Sequence, residues 1–259
     1  MIGNQRWLFG RESYRPKGEV IRTSEYDVIP MGGKDPRAKL FVTTHHYSSA
    51  YPSGRFAFGL YRSGALMGIA SFSVPQHPAV LGNVFHEAAD DSIELGRFVL
   101  LDEVPGNGET WFLGRCFRHL RQDGLAGVLA FSDPVPRADV DGRTVHRGHL
   151  GTIYQAHNAR YLGRGRARVK RLYQDGTVAE ERTLSKIPTR RQGWQAAVDK
   201  LVSYGAVPFQ GGDLRAWLKR ELPRITRPFP HAGNHRYAWP LHRTISLPAS
   251  LPYPKALDN

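Results

Sequence analysis

The chain has 259 residues and a formal net charge of +13 at pH 7, because 36 Lys and Arg residues stand against 23 Asp and Glu residues. This length is enough for a large domain with a buried core, and the arginine-rich excess favours a nucleic-acid partner. No run of about 18 apolar residues could span a membrane, and the first residues lack the apolar core of a secretion signal. We therefore expect a cytoplasmic protein with no membrane partner. The single cysteine, Cys116, excludes a disulfide within one chain.

The N-terminal third contains one strong signal, a β-hairpin. Residues 1–34 show no clear period and are interpreted as an irregular lead-in, with a possible strand at 19–23. Residues 39–47 carry too short an apolar run to decide between helix and strand. Strand-like runs at 55–62 and 66–74 are joined by Ser63-Gly64, which is typical of a hairpin turn. A loop follows, with a short helix expected near residues 83–88.

The central stretch reads strand, loop, helix, strand. Residues 93–101 are rich in strand formers, and the glycine-bearing segment 105–108 then breaks the chain. From Thr110 the apolar residues recur at i, i+3, i+4 and i+7, which predicts a helix with one buried face, including Cys116, that ends at Gly124. Residues 127–131 predict a second strand.

This unit predicts an anion site at the start of its helix. The backbone N–H groups of the loop and first turn point outward, with the positive end of the helix dipole behind them, so a phosphate or pyrophosphate fits there. Arg97 adds a positive charge, and strand alternation places it on the face opposite Glu94. The loop matches neither a P-loop nor a dinucleotide-binding pattern, and an ordinary β–α connection is the alternative. The predicted anion-binding residues are Gly106, Asn107, Gly108, Glu109 and Thr110.

A polar loop at residues 133–148 begins with Asp133, directly after the second strand of this unit. Binding groups often collect at the carboxyl ends of such strands. Residues 152–161 predict a short helix with Tyr154 and Asn158 on one face.

The sharpest charge pattern is the alternation of Arg164, Arg166, Arg168 and Lys170. On a strand, this spacing puts all four on one face, and Asp175-Gly176 would turn the chain into a returning strand at 177–183. Four like charges repel one another unless a polyanion meets them, so we predict that this face binds double-stranded DNA. A merely solvated face is the alternative.

Beyond residue 186, two amphipathic helices are predicted, one around Trp194 and one from Leu214 to Leu218, capped by Asp213 with Pro223 just after its end. A loop at 228–237 leads into a final strand at 237–239, and the proline-rich tail from 248 is expected to be an extended strap or disordered. These elements predict a mixed α/β sheet of six or seven strands.

Seven motifs follow one another along the chain, at residues 45–48, 56–74, 94–98, 105–110, 131–134, 148–154 and 234–237. Their order resembles the phage Mom DNA-modification proteins, which are themselves similar to GNAT-type acyl-coenzyme A transferases. The resemblance implies a GNAT-like catalytic domain at residues 35–185, with a mainly antiparallel mixed sheet flanked by helices. Residues 186–259 would then form a helical extension and a return strand packed on that domain.

The resemblance implies conversion of adenine in phage DNA to N6-carbamoylmethyladenine, which evades host restriction in the bacterial cytoplasm. Acetyl-coenzyme A or a related acyl-coenzyme A would bind at the loop 106–110, Arg97 and Tyr154. A catalytic or iron-binding role would fall to His46, Tyr47 and Asp133, with Tyr154 beside them. Such an N/O ligand set suits iron, and a carboxylate at a strand end can also take a proton from an amine.

Two other functions remain open from the sequence. The same fold could serve an acetyltransferase that acts on another amine, in a small molecule, a protein or RNA. The arginine-rich face alone could serve a non-catalytic DNA-binding protein. Chemistry on N6 of a paired adenine would require flipping the base out of the duplex, with Tyr47 or Tyr51 available for stacking.

Overall fold

The computed structural model describes residues 19–48, 50–52, 54–75 and 77–255. These residues divide into two compact units. The first comprises the described residues up to Ser132 together with Leu150–Gly163 and His235–Lys255, and the second comprises Asp133–His149 and Arg164–Asn234. Among the described residues, no helix is both long and apolar enough to cross a membrane.

Strands and helices alternate along much of the chain. The strands are β1 (Tyr26–Gly32), β2 (Gly54–Arg62), β3 (Ala65–Ser73), β4 (Ser92–Leu100), β5 (Gly127–Ser132), β6 (Arg137–Ala138), β7 (Thr144–His146), β8 (Arg160–Arg164), β9 (Arg168–Leu172), β10 (Arg227–His231) and β11 (His235–Pro240). The helices are α1 (Pro36–His45), α2 (Ala79–Phe85), α3 (Gly108–Gln122), α4 (Thr152–Ala156), α5 (Glu181–Leu184), α6 (Trp194–Ser203) and α7 (Leu214–Ile225).

A seven-stranded sheet, in the order β1-β2-β3-β4-β5-β11-β8, organises the first unit. Strands β1 to β4 pair antiparallel, β5 joins β4 in parallel, and β11 pairs antiparallel with β5. Helix α3 packs with one apolar cluster of the sheet, and α1 packs with another. Since neighbouring residues Ala70 and Ile69 of β3 belong to these different clusters, the two helices cover opposite faces. The prediction of a mixed, mainly antiparallel sheet flanked by helices is confirmed.

The predicted hairpin and the strand–helix–strand unit are both present. The β2–β3 turn has positive φ at Ser63 (49°) and Gly64 (80°), as a tight hairpin turn requires. Helix α3 buries Cys116 on its apolar face, and Gly124 takes a left-handed φ of 83° just after it ends. The buried face of α3 is the one predicted from the spacing of its apolar residues.

Three expectations for the N-terminal part change. Residues 39–47, left open between helix and strand, belong mostly to α1, which begins at Pro36 because Asp35 accepts a hydrogen bond from the Arg37 N–H at 2.8 Å. Within the predicted lead-in, residues 26–32 form strand β1. At 19–23, only Val20 makes a β-bridge, to Gly106. The part of the lead-in at 1–18 lies outside the described residues.

The final strand is integral to the sheet. Strand β11 contains the predicted residues 237–239 and lies between β5 and β8, so the first unit draws on both ends of the chain. The tail forms an extended strap, in which the Leu251 N–H donates to the Tyr161 carbonyl at 2.9 Å and the Tyr253 hydroxyl donates to the Ala159 carbonyl at 2.6 Å.

The second unit contains a two-stranded ladder of β9 and β10 and the helices α5, α6 and α7, which share one apolar cluster. Both predicted helices are present, and Trp217 is buried in their core. Two predictions were wrong. Pro223 lies inside α7 rather than after it, in the last turn. The segment 177–183 forms only an isolated antiparallel bridge, between Val178 and Leu172 at the end of β9, instead of a full returning strand. The ladder partner of β9 is β10, which lies in a segment predicted as loop.

Candidate active site

The parallel strands β4 and β5 separate toward their carboxyl ends. Their ladder joins only Ser92–Leu95 to Gly127–Ala130, although β4 continues to Leu100 and β5 to Ser132. Beyond that point each strand keeps only its other neighbour, β3 or β11. Ligands of α/β sheets bind in crevices at the carboxyl ends of parallel strands, and this gap is such a place.

A bulge at Gly96 shapes the β4 side of the gap. Ser71 of β3 faces Arg97 and Phe72 faces Leu95, which leaves Gly96 without a partner. A side chain at Gly96 would meet the Ser73 Oγ at 2.8 Å and Pro52 at 3.2 Å, so these neighbours pack closely against the glycine.

Because of this bulge, Glu94 and Arg97 lie on the same face of β4. Glu94 faces Ser73 and Arg97 faces Ser71, which are two residues apart on β3 and share a face. The prediction that Arg97 lies on the face opposite Glu94 was therefore wrong, because strand alternation does not continue through a bulge. Arg97 is held in place by hydrogen bonds to the carbonyls of Ala50 (2.8 Å) and Gly96 (2.6 Å).

Glu94 has a proton affinity suited to acid–base chemistry near neutral pH. Burial raises the pKa of Glu94 from 4.5 to about 7, and the positive charge of Arg97 offsets only part of that effect. Perturbed carboxyl groups of this kind concentrate at functional sites.

Tyr154 belongs to the same group of side chains. Burial raises the pKa of Tyr154 well above its usual range, and charge interactions with Tyr47 and Glu94 raise it further, while Arg97 lowers it. Its ring packs against that of Tyr237, with centroids 5.4 Å apart. The structure thus brings together four residues of the first unit, three of them predicted site residues and the fourth Glu94. The name "Glu94 cluster" is used below for Glu94, Arg97, Tyr154 and Tyr47.

His46 and Tyr47 follow directly after α1. Their rings lie against each other, with centroids 4.3 Å apart and an interplanar angle of 30°. His46 is buried, and its Nδ1 accepts a hydrogen bond from the Ser48 N–H at 3.1 Å, whereas 37% of Tyr47 is exposed. Tyr51 is less accessible, since its hydroxyl donates to the Gly33 carbonyl at 3.0 Å.

The predicted anion loop leads into α3 as expected, but its backbone is partly engaged. The Gly106 carbonyl accepts the Ile21 N–H at 2.9 Å, and the Gly108 N–H donates to Pro105 at 3.1 Å, so this amide is not available to a ligand. Asn107 takes a left-handed φ of 63°. A side chain at Gly108 would meet Val104 at 2.4 Å, so this glycine allows close packing. The anion role of Glu109 and Thr110 stays a prediction.

Asp133 lies in the second unit, in a buried polar group of its own. One carboxylate oxygen accepts hydrogen bonds from the His231 Nε2–H (2.9 Å) and the Val135 N–H (3.1 Å), and the other pairs with Arg137. His231 Nδ1 accepts from the Gly233 N–H at 3.1 Å, which assigns the ring proton to Nε2.

These contacts keep Asp133 ionised. Burial alone would raise the pKa of Asp133, but the hydrogen bond from His231 and the charges of Arg137 and Lys170 outweigh it and hold the pKa well below its usual range. The His146 Nε2–H donates to the Asp133 backbone carbonyl at 3.2 Å, and burial and Arg137 lower the pKa of His146 to about 4. Such a weakly basic carboxylate favours a role in fixing the loop after β5 over a role in proton transfer.

The arginine pattern does not form one strand face, and that prediction was wrong. Arg164 is the last residue of β8, Arg166 lies between strands, and only Arg168 and Lys170 belong to β9. Arg168 forms an exposed ion pair with Glu181 at 3.4 Å. Lys170 is half-buried, and burial lowers its pKa although Asp133 and Glu180 oppose that shift. A DNA-binding role for these residues stays a prediction.

The iron hypothesis finds no support. Across the described ranges, no three or more His, Cys, Asp or Glu side chains form a group that could hold a metal ion. Asp133 already receives three donors, and His46 Nδ1 receives the Ser48 N–H. The residues present therefore do not fit an iron site, and none is used below.

Two functional candidates were missed from the sequence. Glu94 interrupts the apolar run Ile93-Glu94-Leu95, and a carboxylate within a buried strand is itself a signal of function. His231 directly follows Pro230 in a segment predicted as loop, and no local pattern links it to Asp133.

The fold and the Glu94 cluster define a mixed α/β protein with a polar site beside a split pair of parallel strands. The chain belongs to the Mom protein family, whose model matches residues 33–255.

Two solved structures are similar to this chain. One is a tandem GNAT protein from the clavulanic acid biosynthesis pathway, without AcCoA, at 8% identity and a TM-score of 0.44, covering 85% of this chain and 100% of that one. The other is an N-acetyltransferase from Staphylococcus aureus Mu50, at 11% identity and a TM-score of 0.35, covering 84% and 99%. These similarities concern the fold alone. No curated protein sequence matches the chain.

Proposed function

We propose that this protein binds an acyl-coenzyme A and modifies adenine in phage DNA at N6, and that the product is N6-carbamoylmethyladenine, which protects the DNA from host restriction. Membership in the Mom family supports the DNA substrate. The single observation that carries the proposal is the Glu94 cluster, in which a carboxyl group with a pKa of about 7 lies near two tyrosines and an arginine.

Glu94 acts as the general base. Formation of the product joins N6 to the methylene carbon of the carbamoylmethyl group, displaces the leaving group on that carbon and releases one proton from the amine. A base with a pKa near the working pH accepts this proton most effectively. With a pKa of about 7, Glu94 is partly ionised at neutral pH and can take that proton. Asp133, held ionised by its partners, is a weaker base and is not assigned this role.

Tyr154 acts as a hydrogen-bond donor. Since its pKa is raised, its phenol stays protonated at neutral pH. A protonated phenol stabilises negative charge that develops on the leaving group, without giving up its proton. Arg97, fixed by two carbonyls, adds positive charge on the same face of β4.

The coenzyme is acetyl-coenzyme A or a related acyl-coenzyme A. Its pyrophosphate would lie at the start of α3, where the helix dipole and the first-turn amides of Glu109 and Thr110 favour an anion. Helix α3 follows β4 directly, so its start lies at the edge of the sheet where the two parallel strands separate.

The target adenine reaches the site by flipping out of the duplex. Tyr47 is the exposed aromatic residue of the Glu94 cluster and is placed to stack on a base. The net charge of +13 supports binding of the DNA backbone.

The test is to express the protein in cells that carry a plasmid, digest the plasmid DNA to nucleosides and analyse them by mass spectrometry. An acetyl group and a carbamoylmethyl group differ in mass because only the latter contains nitrogen, so the modified nucleoside identifies the group that was added. We expect deoxyadenosine with a carbamoylmethyl mass increment. Only unmodified deoxyadenosine, from protein shown to be folded, would contradict the proposal. Transfer of label from acetyl-coenzyme A to a different amine would then favour an acetyltransferase of another substrate class.

A further inference from the structure

Positive charge is concentrated in the second unit. Residues 133–149 and 164–234 contain 18 of the 36 Lys and Arg residues but only 9 of the 23 Asp and Glu residues. About a third of the chain thus carries nine of its thirteen excess positive charges. Such a concentration raises the local concentration of a polyanion and its rate of association.

Within this unit, α7 presents an exposed face with cations and no acid. Its outward positions hold two neutral residues, Ala216 and Pro223, and four exposed basic ones. The basic residues are Arg215, Lys219, Arg220 and Arg224. The helix directs its apolar residues, Leu214, Trp217 and Ile225, into the core of the unit.

A buried carboxylate holds two of these arginines in place. Glu221 is fully buried by surface area, and one of its oxygens accepts from Arg220 Nε at 2.7 Å, while the other accepts from Arg224 Nη1 at 2.9 Å and from the Val207 N–H at 3.1 Å. The side chains of Arg220 and Arg224 nonetheless remain 62% and 58% exposed. Prior ordering of these side chains lowers the entropy that binding would otherwise cost.

We propose that the outward face of α7 binds the sugar–phosphate backbone of B-form DNA and holds the duplex for modification. The inference rests on the proposed function, since it names the element that grips the substrate. The proposed DNA contacts are made by helix α7 and not by the alternating basic residues at 164–170, on which the sequence-based prediction rested.

The geometry favours B-form DNA over other polyanions. Arg215 and Arg224 are nine residues apart, so they lie about 13 Å apart along the axis and on the two opposite edges of the outward face. They can therefore meet the phosphates on the two sides of a major groove, which is about 12 Å wide in B-form DNA. The deep, narrow major groove of A-form RNA does not admit such a helix. A helix that lies on a membrane exposes large apolar residues, whereas α7 buries its own.

The test measures binding of the full chain to a fluorescent B-form duplex by anisotropy over a range of salt concentrations. The variant is R215Q/K219Q, which leaves Glu221 and its two arginines intact. The matched control is R118Q/R121Q, which removes the same charge from exposed positions of α3. Unchanged circular dichroism and thermal midpoints confirm that both variants fold.

We expect R215Q/K219Q to bind about tenfold more weakly at physiological salt and to lower the salt slope of log K by about 1.8, roughly 0.9 for each lost phosphate contact. The control should keep the wild-type slope, and a matched RNA duplex should bind more weakly than DNA. Equal effects of the two variants, an unchanged slope in R215Q/K219Q, or tighter binding to RNA or to anionic vesicles would overturn the proposal.

The two proposals fail separately. If R215Q/K219Q loses DNA affinity as expected but the wild-type protein leaves deoxyadenosine unmodified, the α7 surface stands and the proposed enzyme function fails. If the wild type modifies DNA and R215Q/K219Q binds as the wild type does, the enzyme function stands and the α7 surface fails.

Discussion

Glu94 and Arg97 lie on the same face of β4 because Gly96, between them, is bulged out of register with β3. The bulge places a fixed guanidinium near a buried carboxyl group whose pKa is about 7. Glu94 lies near the end of the paired part of β4 and Arg97 lies just beyond it, so a single irregularity puts both polar side chains on one face where β4 separates from β5.

The pH dependence of the reaction should report on Glu94. Because the carboxylate form is the base, kcat/KM should rise as pH increases through about 7 and level off above it. Glu94→Gln should reduce kcat about 10²- to 10⁴-fold and abolish this rise. Rates of DNA modification measured from pH 5.5 to 9 would check both effects, and an unchanged profile in Glu94→Gln would count against the assignment.

The same carboxyl group should destabilise the fold at high pH. Its pKa is raised from 4.5 in the unfolded chain to about 7 in the folded protein, so the folded state binds more protons between these values and stability falls as pH rises through that window. Above pH 7, Glu94→Gln should be more stable than the wild type by about 2–3 kcal/mol, and the two should converge below pH 4.5. Urea unfolding at pH 4 and pH 8 measures the difference, and equal differences at both values would refute it.

The Tyr154 hydroxyl should matter for rate but not for folding. Tyr154→Phe removes only the donor, so we expect a fall of about 10²-fold in kcat with little change in KM for the coenzyme. Tyr61→Phe is the matched control, because its hydroxyl makes a long contact with the Met31 sulfur at 4.0 Å and has no role in the proposed site. If Tyr154→Phe behaves like this control in steady-state kinetics, the donor role is wrong.

Asp133 should act on stability. Asp133→Asn leaves the buried Arg137, whose side chain is 8% exposed, without its counter-charge and should cost about 3 kcal/mol. Since the pKa of Asp133 is lowered, the stability that its charge contributes is present above pH 3.8 and is lost as pH falls below that value, so the variant should also lack this acid-dependent loss. Asp141→Asn, which breaks an exposed pair with Arg143, should change stability by about 0.5 kcal/mol or less. Chemical denaturation of the wild type, Asp133→Asn and Asp141→Asn measures their free energies of unfolding. Similar values for all three would contradict the stabilising role of Asp133.

The elements that the sequence predicts well are those with local signals. The β2–β3 hairpin follows from Ser63-Gly64 between two apolar runs, and α3 follows from its helical period. Residues 39–47 were left open between helix and strand, although α1 also has a local signal. This signal is Asp35-Pro36, a capping residue followed by the residue favoured at the first helical position.

Other features depend on pairings that no local pattern contains. Strand β10 reads Arg227-Pro-Phe-Pro-His231, and two prolines argue against a strand, yet its pairing with β9 satisfies the remaining backbone groups. The bulge at Gly96 becomes visible only when β3 and β4 are in register. For the same reason, strand alternation wrongly predicted that Arg97 and Glu94 lie on opposite faces of one strand. It also wrongly predicted a single strand face for Arg164, Arg166, Arg168 and Lys170, which belong to separate elements.

The most direct test of the central claim compares the modified fraction of deoxyadenosine in plasmid DNA from cells that express the wild type or Glu94→Gln at equal levels of folded protein. We predict a modified nucleoside with the carbamoylmethyl mass increment in the wild-type sample and almost none with Glu94→Gln. Equal modification in both samples would contradict the role of Glu94, and its absence from the wild-type sample would contradict the function itself.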